Sequence, residues 1–145
     1  MMRLSTKGRY TLESLVVLGL RCSEGESMSL SAIGHETGLS ERYLEHLFRK
    51  LKRQNILISK KGKYGGYSLS RDADKITIGE ILVCVEGPLS LVKCSESDTC
   101  ERKEWCLTHK LWDEAYDRIS RTIDGITLND LVKDYRAKLE KAGTS

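Results

Sequence analysis

Residues 10–22, "YTLESLVVLGLRC", put Leu12, Leu15, Val16, Gly19 and Leu20 on one helical face. The polar stretch "CSEGES" breaks that period. "SLSAIGHET" then reads as a short second helix, with Ser29 as its N-cap and Gly38 as its stop. Ser40 caps a third helix, in which Leu44, Leu47, Phe48 and Leu51 fall at i, i+3, i+4 and i+7, and which ends near Asn55. Two alternating stretches, Ile56–Ser59 and Tyr67–Ser70, flank a Lys- and Gly-rich turn, the pattern of a β-hairpin. "KITIGEILVCVEG" predicts a brief strand-like entry and a helix stopped at Gly87-Pro88. From about Lys103 the helical period returns in Leu107, Leu111, Ala115, Ile119 and Ile123, joined by Trp112 and Tyr116 and closed by Gly125. Thr127, with Asp130 three residues on, starts a last short helix, and the tail "KAGTS" is expected to fray.

A short helix, a Gly-containing turn, a longer amphipathic helix and a hairpin form a winged helix-turn-helix. The expected fold is therefore mainly α with a small β-hairpin. A winged helix-turn-helix DNA-binding domain would span residues 1–84, a ligand-binding loop 85–102, and a dimerisation helix with a C-terminal helix 103–145. The stripe on the helix from Lys103 to Ile123 is too apolar to stay exposed, so a second copy is expected to cover it. The resulting homodimer would present two recognition helices to a partly palindromic operator.

Charge sharpens this picture. The 145-residue chain carries a net charge of only +3, unevenly spread. Between Glu41 and Lys63 eight basic residues face two acidic ones; between Ser95 and Asp117 acids lead seven to three. The first region suits a polyanion and the second does not. With the apolar stripe of the third helix turned inward, Ser40, Glu41, Arg42, Tyr43, Glu45 and His46 stand at the end that enters a major groove. Arg49, Lys50, Lys52 and Arg53 suit phosphates. The hairpin tip carries Lys60, Lys61 and Lys63, and Gly62, Gly65 and Gly66 allow close approach to a sugar–phosphate rail. Tyr64 and Tyr67 either touch the nucleic acid or pack the hairpin. The expected partner is double-stranded DNA.

Other classes are disfavoured. The apolar run Leu15–Leu20 is far short of the roughly 18 residues of a membrane span. Arg3, Lys7 and Arg9 precede it as in a signal peptide, but Glu13 interrupts the region and no small-residue cleavage site follows. The chain reads as cytoplasmic and not membrane-bound. No Ser/His/Asp or paired-carboxylate constellation sits in a cleft-forming context, so an enzyme is not expected.

The five cysteines are an odd number, and three of them lie in "KCSESDTCERKEWCLTHK". Five residues separate Cys94 from Cys100, five separate Cys100 from Cys106, and two separate Cys106 from His109. Three thiolates and an imidazole complete a four-ligand set for a borderline or soft metal. The residues Ser95–Thr99 are all polar and could not build a core, so a metal would supply the order they lack. Cys106 and His109, three apart, would share one face of the incoming helix. The spacing leaves the metal open. Three cysteines with a histidine are a common structural zinc set, although gaps of five exceed the usual two to four; an iron–sulfur cluster with one nitrogen ligand is the rival, and a metal-free loop the third reading. Cys22 and Cys84 sit within helical apolar patterns and read as buried small hydrophobes.

Four segments together resemble the IscR-type iron–sulfur regulators, a family of dimeric winged-helix transcription factors. "MRLSTKGRY" (Met2–Tyr10) is similar to the family's opening, and "LSERYLEHLFRKLKRQNIL" (Leu39–Leu57) to its recognition helix. "GKYGGYSLSRDADKITIGEIL" (Gly62–Leu82) is similar to its wing, and "CLTHKLW" (Cys106–Trp112) to the last cysteine and the histidine at the start of its dimerisation helix. The likeness runs from Met2 to about Leu131. It implies a regulator that senses cluster supply, oxidants or nitric oxide through a two-iron, two-sulfur cluster held by Cys94, Cys100, Cys106 and His109. A nitric-oxide-sensing branch uses an acidic fourth ligand near the N-terminus. The matching position here is Arg9, which cannot ligate, and this favours the histidine version. A branch that senses cysteine metabolism lacks the cysteine triad. The wing departs from the common proline-containing pattern, since Lys63-Tyr64 precedes Gly65-Gly66. The alternative is a zinc-stabilised DNA-binding repressor with no sensing role.

Overall fold

A computed structural model of the chain describes residues 5–23, 25–63, 65–88 and 107–143. The first helix, α1 (Thr6–Arg21), buries Gly8, Thr11, Ser14, Leu15, Val17 and Leu18. This face is rotated from the one the apolar residues predict; Leu12, Val16 and Leu20 are only half-buried. The cause is local hydrogen bonding. Thr11 and Ser14 donate their hydroxyls to the carbonyls of Lys7 and Tyr10, at 2.7 and 2.8 Å, so both polar groups enter the core satisfied.

The helix-turn-helix follows as α2 (Leu30–Thr37) and α3 (Glu41–Arg53). The Ser29 and Ser40 hydroxyls accept from the N–H groups of Ala32 and Tyr43, at 3.1 and 3.2 Å, as N-caps do. Gly38 closes α2 in the left-handed region, with φ 77°. Leu44, Leu47, Phe48 and Leu51 are fully buried and join Leu15, Leu18 and Ile33 in the core. Burying four such side chains is worth roughly 1.5–3 kcal/mol each, which makes α3 the anchor of the head.

The hairpin is β1 (Leu57–Lys60) and β2 (Gly66–Leu69), antiparallel, with Leu57 opposite Leu69 and Lys60 opposite Gly66. Each strand is displaced by one residue from the predicted segments. Ile56 is spent closing α3, its N–H bonded to the Leu51 carbonyl at 3.0 Å. A 3-10 turn (Ala73–Lys75) leads into α4 (Ile78–Glu86). There Thr77 and Glu80 form a capping box, each side chain accepting from the other residue's backbone N–H.

Two helices follow, α5 (His109–Gly125) and α6 (Leu128–Gly143). The helix predicted from Lys103 begins at His109, after Leu107 and Thr108 in a turn; residues 103–106 lie outside the described residues. The last helix is not short: it has 16 residues and continues to Gly143. Tertiary packing extends it. Leu128 and Val132 are buried in the same core as α1, and Thr127 forms an antiparallel bridge with Thr77. Two backbone bonds fix that seam: Ile78 N–H to Ile126 O at 2.9 Å, and Leu128 N–H to Ile76 O at 2.8 Å. The C-terminal helix therefore shares the hydrophobic core of the head.

The exception is α5. It lies against α4, yet none of its residues is buried. Leu111 is 57% exposed, Tyr116 is exposed, and Leu107 just before the helix is 100% exposed. Ile123, near its end, reaches the core. Among the described residues no helix is long and apolar enough to cross a membrane.

Candidate nucleic-acid interface and metal ligands

On α3 the buried stripe leaves Glu41, Arg42, Glu45, His46 and Arg49 exposed on the opposite side. Ser40 is occupied as the helix cap. Arg49 pairs with Glu45 across one turn at 3.1 Å, an exposed pair that orients the guanidinium along the helix at little net energy. Arg42 and His46 remain as outward hydrogen-bonding groups. Tyr43 is less outward than its place in the sequence suggests. It is half-buried, its ring meeting Tyr10 edge-on at 6.1 Å. Lys50 is also half-buried, and its carbonyl takes a contact from the Cys84 thiol at 3.5 Å.

The wing is fastened to the head by a third pairing. Met28 and Tyr67 exchange backbone bonds of 2.9 and 2.8 Å, and the Tyr67 ring packs edge-on against Phe48 at 5.3 Å. Tyr67 therefore packs the hairpin. A Cβ at Gly66 would lie 2.3 Å from the Met28 carbonyl oxygen, so the bridge forms only with glycine there. Gly65 bonds its N–H to Gly62 O at 3.0 Å and tightens the tip. Lys61 and Lys63 are exposed on that tip, while Lys60 donates to the Gly25 carbonyl and ties the wing to the loop after α1. Tyr64 lies outside the described residues. Sequence reasoning did not foresee the Met28–Tyr67 bridge, since lone bridges leave no periodic signal.

Of the four predicted metal ligands, Cys94, Cys100 and Cys106 lie outside the described residues, and His109 is the first residue of α5. Among the described residues no group of three or more His, Cys, Asp and Glu side chains is placed to hold a metal. The His109 ring is 22% exposed, and its Nε2 lies 3.0 Å from Asp113 Oδ2, one turn along. Behind it the first turn of α5 is closed by Trp112. The Trp112 backbone N–H bonds Thr108 O, and its indole N–H bonds the Thr108 hydroxyl, both at 3.1 Å. An imidazole with one nitrogen engaged by a carboxylate and set on a rigid turn fits a ligand to a soft metal, since metal-bound histidines commonly carry such a partner. The i, i+4 spacing of His109 and Asp113 is the sequence signal that points to this pair.

The remaining cysteines behave otherwise. Cys22 and Cys84 are free and half-buried against the core. Burial pushes both thiols up, reinforced at Cys22 by Glu26 and opposed at Cys84 by Lys50, which favours their protonated form. The helix carrying Cys84 also bears Glu86 at its end, and the Glu86 carboxylate accepts from the Gly8 N–H at 2.8 Å and from the Ser5 hydroxyl. It thereby caps the N-terminus of α1 from a distant part of the chain.

The chain is 37% identical over 133 residues to the HTH-type transcriptional regulator IscR of Erwinia tasmaniensis, covering 92% of this chain and 80% of that relative. The corresponding protein of Serratia proteamaculans is 35% identical over the same coverage. Among solved structures, CymR, the global cysteine regulator of B. subtilis, matches with a TM-score of 0.75 and 36% identity, over 92% of this chain and 98% of that one. T. potens IscR matches with a TM-score of 0.73 and 32% identity, over 92% and 88%. Sequence relatives and structural neighbours thus agree with the winged-helix head. With residues 4–134 matching the family Rrf2, iron-dependent transcriptional regulator, the chain belongs to that family of transcription regulators rather than to any class of enzymes.

Proposed function

We propose that this regulator binds a partly palindromic operator as a homodimer in the cytoplasm and reports iron–sulfur cluster status. Its cofactor would be a two-iron, two-sulfur cluster held by Cys94, Cys100, Cys106 and His109. The observation that carries the reading is the complete donor set, with its one described member, His109, seated on a closed helical turn beside Asp113. Overall likeness does not choose between an IscR and a CymR, since both match at nearly the same TM-score. The donors support the cluster reading, because three thiolates and an imidazole suit a cluster.

The residues divide the work by position. Arg42, Glu41, Glu45 and His46 at the start of α3 would read base edges in the major groove, while Ser40 holds the helix cap and Tyr43 packs against Tyr10. Arg49 and Lys50 would meet phosphates, as would Lys61 and Lys63 on the wing, where Gly65 and Gly66 bring the backbone close and Tyr67 keeps the hairpin in place. Leu107, Leu111 and Tyr116 would pack against the same residues of a second copy about a two-fold axis. A bound cluster would supply a redox- and oxygen-sensitive link between the cysteine segment and α5. That segment lies between α4 and α5, which pack on each other, and α4 touches α3 through Cys84 and Lys50. A change in how His109 and the cysteines are held thus has a short packed path to the recognition helix.

The test is the composition and colour of protein purified without oxygen. Iron and acid-labile sulfide in equal amounts are expected, with visible absorption that is lost when Cys94, Cys100 and Cys106 are replaced together by Ala. Zinc without sulfide would instead establish the structural-metal alternative. A coloured triple variant would refute the ligand set.

A further inference from the structure

We infer that Asp113 is the positioning residue for the histidine ligand, and that it selects Nδ1 of His109 as the atom offered to the metal. The inference rests on the cluster reading and adds to it. His109 Nε2 and Asp113 Oδ2 are 3.0 Å apart. An ionised carboxylate only accepts hydrogen bonds, so the proton lies on Nε2. In the neutral ring the lone pair is then on Nδ1.

Three features argue that the pair is more than an ordinary surface contact. The ring is only 22% exposed while Asp113 is 58% exposed, so the imidazole is the more enclosed partner and the carboxylate the more solvated one. The turn that carries both is locked by Trp112 and Thr108, which fixes the His109 backbone. His109 is also the first residue of α5 and follows Cys106 by three positions in sequence, so the carboxylate braces the proposed ligand nearest to Cys106 along the chain. The other two histidines, His35 and His46, are exposed on α2 and α3 and have no such carboxylate contact among the described hydrogen bonds and ion pairs. An anionic acceptor on Nε2–H makes Nδ1 more basic and adds negative charge near the iron.

Full-length wild type, Asp113→Ala and Asp113→Glu, each purified without oxygen, test this. The measured quantities are iron and sulfide content, the rate of iron loss to a chelator, the midpoint potential, and pulsed EPR of the reduced protein containing histidine labelled with nitrogen-15 at Nδ1 or at Nε2. Wild type is expected to show strong coupling from the Nδ1 label alone. Asp113→Ala should lose iron faster by about 10–100-fold, the usual cost of removing such a partner, with a raised potential and unchanged helical circular dichroism. Asp113→Glu should restore both the rate and the potential. Strong coupling from Nε2, or an Asp113→Ala protein with wild-type release rate and potential, overturns the assignment while leaving the cluster in place. A wild-type protein free of iron and sulfide overturns both this inference and the proposed function.

Discussion

Exposed side chains on α3 and on the wing tip are proposed to do different jobs. Arg42 is exposed at the start of α3, where its guanidinium would suit a guanine edge, whereas Lys61 is exposed on the wing tip, where its ammonium would suit phosphate as a point charge. Arg42→Ala is therefore expected to cost about 1–3 kcal/mol on the preferred operator and little on unrelated DNA. Lys61→Ala should weaken binding to all sequences alike and reduce the salt slope by about 1. Titrations against operator and random duplex at several salt concentrations separate the two; equal losses on every DNA would remove the division of labour. Phosphate contact by Lys50 is more constrained, since its side chain is half-buried beside α4.

At the scale of elements, caps and apolar periods explain most of what forms. Ser29, Gly38, Ser40 and the stripe Leu44–Leu51 were legible because each signal is local and each residue type has one dominant use there. The buried face of α1 was not legible, because Thr11 and Ser14 look polar until their hydroxyls close on the preceding turn. Nor was the length of α6, whose buried positions Leu128 and Val132 gain their meaning only from contact with α1. In the site, the outward residues of α3 and the basic wing were readable. The packing duty of Tyr67 and the seat of His109 depend on partners distant in sequence or on a turn geometry that periodicity does not specify. The cap of α4 yields a pH prediction. Partial burial works against ionisation of Glu80, but bonds from the Thr77 N–H and from Arg71 outweigh it and hold the carboxyl below its ordinary value of 4.5. A carboxyl with a depressed folded-state pKa adds stability above the unfolded value, and that stability is lost as pH falls through the folded one. Thermal unfolding should therefore lose a component below about pH 4.5 that is missing in Glu80→Gln. A Glu80→Gln protein with an unchanged acid profile would place that component elsewhere.

For the molecule as a whole, the decisive asymmetry is between a head with one continuous core and a helix, α5, that reaches that core only near its end and has no fully buried residue. A monomer would leave Leu107, Leu111 and Tyr116 against water, and that exposure favours a second copy. In the proposed dimer Leu111→Glu would bury a charge at such a seam; sedimentation should change from dimer to monomer, and operator affinity should fall because a single head would meet a single half-site. A variant that remains dimeric would move the seam off this stripe. In the proposed dimer, joining the heads through α5 would also tie the orientation of two recognition helices to the segment that carries the cysteines. Whatever binds there and prefers one arrangement must alter affinity for DNA, and DNA must alter its retention in return. The most direct measurement is an anaerobic titration of operator DNA with the same preparation before and after removal of iron and sulfide. The account predicts dissociation constants or site preferences that differ between the two forms; identical binding to every duplex by cluster-loaded and cluster-free protein would contradict it.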